Sequence, residues 1–295
     1  MLFDTHCHLN FKSFKEIESD VITRAHENGV NTIVVPGTDV PTSEKAVEIA
    51  QKYEAAYAAV GIHPHHVFEI FKKSSETQFL SHESLTSALR GPLESEKIEF
   101  SSDINKIEKI LLSDKVIAVG EVGIDRHIYE KTKYKDYKID ERFVDLQKEF
   151  LIAQIKLAYQ YKKSLILHNR EAKDDILEIL TNHQSLIANY SSVFHCCEPD
   201  LELLEFAKNN KMFIGVDGDI TYRKDKQDFV KKIPKEMLVL ETDSPFLSPF
   251  RKFPNEPKNI KVINEFIAGI IGESPEKLAE ITTENAKRLF KISNY

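Results

Sequence analysis

The sequence predicts an α/β protein built as a single (β/α)₈ TIM barrel with an insertion between its third and fourth strands. Two observations predict this fold. Short runs of β-branched and aromatic residues alternate with segments of helical periodicity, and the unit occurs eight times, the number of parallel strands that closes such a barrel. The predicted strands cover residues 2–8, 32–37, 56–63, 116–122, 164–168, 192–196, 212–217 and 237–242.

The segments between the strands have the apolar spacing of helices that pack on a sheet. Residues 141–161 repeat apolar side chains at helix-like intervals. Residues 199–210 begin with a proline and an acidic residue, which suit a first helical turn. The region after residue 259 predicts two helices separated by a break at 272–276, and we expect them to close the barrel. Residues 1–295 are therefore predicted to be one domain.

Residues 67–115 form the predicted insertion. They separate the third and fourth strands by more than one helix and two loops of ordinary length, and they are rich in Ser, Glu and Lys. We expect a surface insertion at the mouth of the barrel with some helix of its own. Both a lid and an elaboration without function are compatible with this composition.

Charge and composition exclude some classes of protein. A formal net charge of −7 argues against a large basic surface for duplex binding. It does not exclude a nuclease, because divalent cations in a carboxylate pocket make the local electrostatic potential positive, so a phosphate can bind there. Three cysteines without a disulfide pattern, no signal peptide and no long apolar segment predict a cytoplasmic protein without a membrane partner.

Metal-ligand residue types stand at the ends of the predicted strands. Five of the eleven histidines fall there, and the C-terminal ends of barrel strands are where active sites are built. In a strand, residues two apart share a face, so Asp4, His6 and His8 are expected to project together. Any one of these residues could be a buried histidine or a helix cap, but a set in register predicts a metal centre. The predicted ligands are His6, His8, Glu121, His168, His195 and Asp243.

The ligand types predict a division of roles between two divalent metal ions. One cation is predicted on His6, His8 and Asp243, a second on His168 and His195, with Glu121 bridging them. Two cations about 3.5–4 Å apart polarise a phosphoryl group and lower the pKa of a bound water toward 7. Asp243 is the predicted acceptor of that water's proton. Asp243 and the bridging Glu121 are therefore the predicted catalytic residues. Imidazole with carboxylate suits Zn²⁺, Mn²⁺ and Fe²⁺, whereas Mg²⁺ usually prefers oxygen ligands.

Further residues at the same strand ends predict substrate contacts. The six predicted ligands are enough for two metal ions without His63 and Arg170, and we assign these two residues to a substrate phosphate. A salt bridge at the barrel rim is an equally good interpretation of Arg170. Asp4 and Glu241 are predicted to orient the ligand imidazoles.

Taken together, the motifs resemble those of the TatD-like metal-dependent deoxyribonucleases nearly from end to end. They occupy residues 3–8, 61–64, 120–125, 168–172, 195–196, 215–218, 241–245 and 255–257. The resemblance implies a (β/α)₈ barrel and phosphodiester hydrolysis on DNA, often from the 3′ end of single strands. It also implies a monomer that depends on divalent metal ions, described for family members as Mg²⁺. With the ions that the ligand types favour, the predicted cofactors are two divalent metal ions, Mg²⁺, Mn²⁺ or Zn²⁺. The six predicted ligands match the family's positions, and His63 matches its substrate-side histidine.

The chain departs from the family pattern at three places. Arg126 and His127 stand where members often have an aromatic pair, and Asn169 stands where a small hydroxyl residue is more usual. The third departure is the insertion before the fourth strand. None of them removes a predicted ligand, so they concern substrate preference and access.

Three alternatives stay open. An amidohydrolase acting on cyclic amides, lactones or esters shares the His-x-His opening, but such enzymes commonly bridge their metals with a modified lysine, and Glu121 disfavours that branch. A deacylase of misacylated transfer RNA could use the same scaffold, since an activated water can also attack an acyl carbon. A binding or scaffold protein that has lost catalysis is disfavoured by the intact ligand set.

Overall fold

All eight predicted strands are present and belong to one sheet. The computed structural model describes residues 1–76, 102–187 and 191–292, without the side chains of 73–76. The strands run parallel and pair in sequence order. They are β1 (Leu2–Asp4), β2 (Val30–Pro36), β3 (Ala56–Val60), β4 (Val116–Asp125), β5 (Ser164–Arg170), β6 (Ser192–Phe194), β7 (Phe213–Val216) and β8 (Leu238–Leu240). This architecture confirms the predicted barrel.

Backbone hydrogen bonds just beyond the strand ends join the last strand to the first. The Asp243 N–H donates to the His6 carbonyl at 2.9 Å, and the His8 N–H donates to the Ser244 carbonyl at 2.7 Å. The segments that follow the first and the last strand are thereby held side by side at one rim of the barrel.

The predicted strand positions are right, but several boundaries are wrong. β1 ends at Asp4 instead of residue 8, and β3 ends at Val60 instead of residue 63, whereas β4 and β5 continue past their predicted ends. After Asp4 the chain bonds alternately to its two neighbours: the Cys7 N–H donates to the Val34 carbonyl, and the next residue bonds to the β8 side. A strand pattern in the sequence does not reveal this change of partner.

One layer of the barrel interior consists of one apolar side chain from each strand. The C-terminal helix packs against this layer, and the rings of Phe3 and Phe290 stack with centroids 5.9 Å apart. The Ser164 hydroxyl at the start of β5 donates to the carbonyl of Leu289. The C-terminal helix therefore covers the end of the barrel where the strands begin, which leaves the opposite end for a site. The inward layer is Phe3, Val34, Ala59, Ala118, Ile166, Val193, Phe213 and Val239.

Helices surround the barrel between the strands. They are α1 (Glu18–Glu27), α2 (Val40–Lys52), α3 (Val67–Glu76), α4 (Ser102–Ile110), α5 (Glu141–Gln160), α6 (Lys173–Asn182), α7 (Gln184–Ile187), α8 (Leu201–Asn209), α9 (Lys224–Val230), α10 (Ile260–Ile271) and α11 (Pro275–Phe290). None of the helices in the described ranges has both the length and the apolar character needed to cross a bilayer.

The predicted helices are largely correct. The helix predicted at 199–210 begins later, at Leu201, because the Asp200 carboxylate accepts the N–H groups of Glu202 and Leu203 and so caps the first turn. The predicted break at 272–276 is present, with Gly272 in the left-handed region at φ 69°. The predicted insertion contributes α3 and α4, and its residues 77–101 lie outside the described ranges. The assignment of 1–295 to one domain stays a prediction.

Candidate metal centre

The six predicted ligand side chains converge at the C-terminal ends of the strands, with Glu121 in the middle. One carboxylate oxygen of Glu121, Oε2, lies 3.5 Å from His6 Nε2 and 3.7 Å from His8 Nε2. The other oxygen, Oε1, lies 2.8 Å from His168 Nδ1 and 3.4 Å from His195 Nε2. The two oxygens of one carboxylate therefore face two different groups of imidazoles.

The first group consists of His6, His8 and Asp243. The two imidazole Nε2 atoms are 3.2 Å apart, and Asp243 Oδ1 lies 3.5 Å from His8 Nε2 and 3.8 Å from His6 Nε2. The Nδ1 atom of His8 faces the Pro36 carbonyl at 3.2 Å. This contact fixes the ring so that Nε2 points into the group. Asp243 itself has a φ of 49°, a left-handed conformation that few residues other than glycine adopt.

The second group consists of Glu121, His168 and His195, and each of its histidines has a carboxylate behind it. Asp125 Oδ2 lies 3.2 Å from His168 Nε2, and Glu241 Oε2 lies 3.4 Å from His195 Nδ1. A carboxylate in this position orients an imidazole and raises its basicity. In both groups the potential ligand atoms lie within 4.8 Å of one another.

Burial and neighbouring charges set the pKa values of these groups. Burial, together with the nearby His195, lowers the pKa of His6 to about 4, so its imidazole is neutral at neutral pH. Burial also opposes charge on His168 and His195, but the carboxylates around them outweigh it and raise their pKa values to about 9 and about 10. Burial raises the pKa of Glu121, but the nearby His63 and His195, together with hydrogen bonds from His168 and His6, hold it well below its usual range. Glu121 is consequently a carboxylate at any physiological pH.

The residues present fit a divalent cation. His6, Glu121 and His195 are all buried. The facing Nε2 atoms of His6 and His8 can share at most one proton when both rings are neutral, and a cation between them would accept a lone pair from each. Among the described residues, His6 Nδ1 has no hydrogen-bond partner, although it is buried. A concave, buried set of imidazoles and carboxylates is the donor chemistry that Zn²⁺, Mn²⁺ and Fe²⁺ prefer.

His63 lies beside the second group. Its Nε2 atom is 3.4 Å from Glu121 Oε1, and its ring is 4.3 Å from the ring of His168. Its Nδ1 atom accepts the N–H of His65 at 3.0 Å. In the neutral ring Nε2 must then carry the proton, which makes His63 a hydrogen-bond donor toward the site and favours contact with a substrate oxygen over metal ligation.

Arg170 stands exposed at the rim of the same cavity. Its Nη1 atom lies 3.3 Å from the Tyr129 hydroxyl, and its guanidinium lies over the Tyr129 ring. Within the described ranges it forms no ion pair with a carboxylate, so the interpretation as a rim salt bridge is not supported. Its charge is available to an anion in the cavity.

Asp4 does not project together with His6 and His8 as predicted. Its buried carboxylate accepts the N–H and the hydroxyl of Thr242 at 3.0 and 2.6 Å, and the backbone N–H of His6 at 3.2 Å. The side chains diverge because β1 ends at Asp4 and the alternation of a strand stops there. Asp4 therefore fixes the backbone of two strand ends, and it touches no ligand imidazole.

Glu241 occupies the position that the sequence predicted, behind a ligand histidine. Its Oε1 atom also accepts the Cys196 N–H. This close packing requires Gly215, since a Cβ atom there would lie 2.2 Å from Glu241 Oε1. The glycine of β7 thus makes room for the carboxylate of the residue that follows β8.

A buried charged cluster on the cavity wall was not predicted. The ammonium group of Lys226, on α9, lies 2.6 Å from Asp217 Oδ2 and 2.8 Å from Asp219 Oδ1, and all three side chains are buried. The Lys226 ammonium outweighs burial and lowers the pKa of Asp217, whereas burial and the neighbouring Asp217 raise the pKa of Asp219 to about 7. Asp219 lines the cavity. The cluster therefore holds part of the wall in place.

Replacing Lys226 by alanine is expected to destabilise the fold by about 3–5 kcal/mol, because it leaves the Asp217 carboxylate buried without its cation. Urea unfolding measures this loss as a change in the free energy of unfolding. The matched control is Lys224→Ala on the same helix; Lys224 is 75% exposed and should cost less than about 1 kcal/mol. Equal losses in the two variants would show that the cluster does not stabilise the wall.

The centre opens into a cavity of about 780 Å³. This volume falls in the range of small-molecule sites, roughly 300–1,000 Å³. Its lining combines residues of both ligand groups with His65, Tyr129, Arg170, Arg223 and Phe246. A substrate in the cavity would meet imidazoles at the floor and arginine and aromatic side chains at the rim.

Asp125 is a second feature that the sequence left without a role. Besides contacting His168, its carboxylate accepts the Tyr129 hydroxyl at 2.7 Å and the His127 N–H at 2.8 Å.

Replacing Asp125 by asparagine is expected to weaken metal affinity roughly 10- to 100-fold, since His168 loses the carboxylate that orients it. A Mn²⁺ titration of activity should show a higher half-saturating concentration and recovery at saturation. The control is Asp136→Asn, whose side chain is 92% exposed, and an unchanged titration of Asp125→Asn would refute this role.

The barrel and its histidine–carboxylate centre define the class of metal-dependent barrel hydrolases. A family model described as TatD related DNase matches residues 3–291. The chain belongs to the TatD-related DNase family, and it is a metal-dependent hydrolase of that family. The resemblance predicted from the motifs is confirmed.

Known relatives match this chain over nearly its whole length. The "uncharacterized metal-dependent hydrolase YabD" of Bacillus subtilis is 33% identical over 297 residues, covering 99% of this chain and 100% of YabD. YjjV of Escherichia coli, also named an uncharacterized metal-dependent hydrolase, is 30% identical, with 98% of this chain and 97% of YjjV covered. The crystal structure of the E. coli TatD homologue YjjV superposes with a TM-score of 0.77 at 26% identity, over 99% of this chain and 98% of that one.

Proposed function

We propose that the protein is a two-metal phosphodiesterase that hydrolyses DNA. The observation that carries this proposal is the position of Glu121, whose Oε2 faces His6 and His8 and whose Oε1 faces His168 and His195. A carboxylate placed in this way can bridge two cations, and two bridged cations suit in-line displacement at phosphorus. The family's description as a DNase supports the choice of substrate.

The proposed ligand sets follow the two groups. His6, His8 and Asp243 would hold one cation, His168 and His195 the other, and Glu121 both. When bound, the two cations would polarise the phosphoryl group and make an attacking water more acidic. Because the donor set mixes imidazole and carboxylate, we propose Mn²⁺ or Zn²⁺ ahead of Mg²⁺.

The chain's own residues would perform the remaining steps. A water would attack phosphorus while the bond from phosphorus to the leaving oxygen of the strand breaks. The proton of the water would pass to the Asp243 carboxylate, and the leaving oxygen would take up a proton from solvent to become a hydroxyl group. Asp243 is the candidate because its side chain is 14% exposed beside the cavity, whereas Glu121 is enclosed by imidazoles. His63 would donate from Nε2 to a phosphate oxygen, and Arg170 would pair with a phosphate at the rim.

We propose single-stranded ends as the DNA form. The net charge of −7 disfavours a wide footprint on a duplex, and the centre lies at the bottom of a cavity rather than on an open face. A free strand end can enter such a cavity more readily than the middle of a duplex can.

Metal-reconstituted protein incubated with end-labelled single- and double-stranded oligonucleotides tests the proposal. We expect progressive shortening of the single strand with Mn²⁺, Mg²⁺ or Zn²⁺, and none with the Glu121→Gln variant. Labels at the 5′ and the 3′ end distinguish the direction of cleavage. If no oligonucleotide is cleaved with any of these metals while a lactone or an aminoacyl ester is hydrolysed, the proposal is wrong.

A further inference from the structure

Beyond the metal centre, the loop between β8 and α10 carries an unusual surface. Nine large apolar side chains are exposed in the described residues, and the three phenylalanines among them, Phe246, Phe250 and Phe253, all lie on this loop. Their exposed fractions are 46%, 56% and 67%. Exposed aromatic side chains gathered in one place commonly mark a binding surface.

Two of these rings continue a row of phenylalanines that begins with Phe11, next to the proposed metal ligand His8. The ring of Phe11 stacks on that of His8 with centroids 4.2 Å apart and an interplanar angle of 16°. Phe246 follows at 6.3 Å from Phe11, and Phe253 follows at 6.2 Å from Phe246. We call Phe11, Phe246 and Phe253 the phenylalanine row. It leads from the cavity, whose lining includes Phe11 and Phe246, to open surface at Phe253.

Two cations accompany the row. Arg251 and Lys252 lie on the same loop immediately before Phe253, and both are exposed. Arg251 lies over the ring of Tyr222, with its guanidinium carbon 4.3 Å from the centroid. Neither Arg251 nor Lys252 forms an ion pair with a carboxylate of the described ranges. On a chain whose net charge is −7, this is a place where unpaired positive charge stands next to exposed aromatic faces.

We propose that the phenylalanine row is a stacking platform for the bases of single-stranded nucleic acid, with Arg251 and Lys252 beside its phosphates. Surfaces that bind single strands without sequence preference combine aromatic rings for the bases with cations for the backbone. The row joins the cavity at Phe11 and Phe246, so a strand stacked on it would place a phosphodiester over the metal centre. This inference rests on the proposed function and adds the subsite that holds the strand. It predicts little dependence on base sequence, because every base offers a ring face.

Fluorescence anisotropy with a labelled phosphorothioate oligothymidylate, which resists hydrolysis, tests the platform. Phe246→Ala and Phe253→Ala are each expected to raise its Kd roughly fivefold to a hundredfold. Tyr159→Ala is the matched control, since Tyr159 is a 53% exposed aromatic residue near the end of α5, and its Kd should equal that of the parent. An abasic strand of the same length should bind the parent weakly, and the two phenylalanine variants should not weaken it further.

Two conservative variants separate stacking from general apolar contact. Phe253→Tyr keeps the aromatic face and should keep the parent affinity, whereas Phe253→Leu should lose it. In Arg251→Ala combined with Lys252→Ala, the slope of log Kd against log salt should become shallower by about 1.4, or about 0.7 for each phosphate that the variant no longer neutralises.

The outcomes distinguish failure of this inference from failure of the proposed function. If the parent binds and cleaves single strands but the phenylalanine variants bind as the parent does, the platform is wrong and the nuclease stands. If the parent neither binds nor cleaves any strand, both are wrong. If light scattering finds a parent dimer that Phe253→Ala turns into a monomer, the row is covered by a second copy and the platform is overturned.

Discussion

Replacing Glu121 by glutamine is expected to lower kcat by roughly a thousandfold or more, because the change removes a ligand from both cations at once. The glutamine side chain has nearly the same shape but only one acceptor oxygen, so it cannot serve both groups of imidazoles. Steady-state hydrolysis of a single-stranded oligonucleotide at saturating Mn²⁺ measures the loss.

The matched control is Glu48→Gln on α2, whose side chain is 65% exposed and contacts only Lys45 among the ion pairs of the described ranges. It should leave kcat unchanged. Metal content is the second readout, since the Glu121→Gln protein should retain fewer equivalents of metal than the parent after dialysis. A Glu121→Gln enzyme with more than about a tenth of the parent kcat would mean that the two groups do not act as one centre.

Asparagine at Asp243 is expected to lower kcat by roughly 10²- to 10⁴-fold, the range that a positioned general base contributes. Asp243 lies 3.5 Å from His8 Nε2, so it is also a candidate ligand, and the two roles must be separated. Measuring kcat as the metal concentration rises achieves this separation. A loss of affinity alone would be restored at saturation, whereas loss of the proton acceptor would not.

Asp174→Asn is the control for this change, because its side chain is 95% exposed at the start of α6. It should behave as the parent does at every metal concentration. Full recovery of kcat in Asp243→Asn at high Mn²⁺ would assign Asp243 to metal binding only and leave the proton acceptor to be found elsewhere.

The fold could be predicted because its signals are local. Each strand is a short apolar run, each helix has its own periodicity, and a regular alternation of the two admits few topologies. The ligand set was predictable for a related reason. When residues such as Glu121 and His168 both lie in the C-terminal halves of parallel strands of a closed barrel, their side chains must lie near the same rim.

What the sequence did not predict depends on contacts between distant residues. The end of β1 at Asp4 follows from hydrogen bonds to β2 and to the β8 side, which no local pattern encodes. The buried Lys226 lies in a helix whose polar composition is typical of a solvated surface, and it is buried only because Asp217 and Asp219 approach it from another loop. The exposure of Phe253 could not be predicted either, since an apolar residue in a sequence is expected to be in the core.

The proposed function depends on the position of Glu121 between two cations. Anomalous diffraction from crystals soaked in Mn²⁺ tests it most directly. We expect two peaks about 3.5–4 Å apart, one next to His6, His8 and Asp243 and the other next to His168 and His195, with Glu121 Oε2 and Oε1 each facing one peak. A single peak, or a pair in which Glu121 touches neither ion, would contradict it.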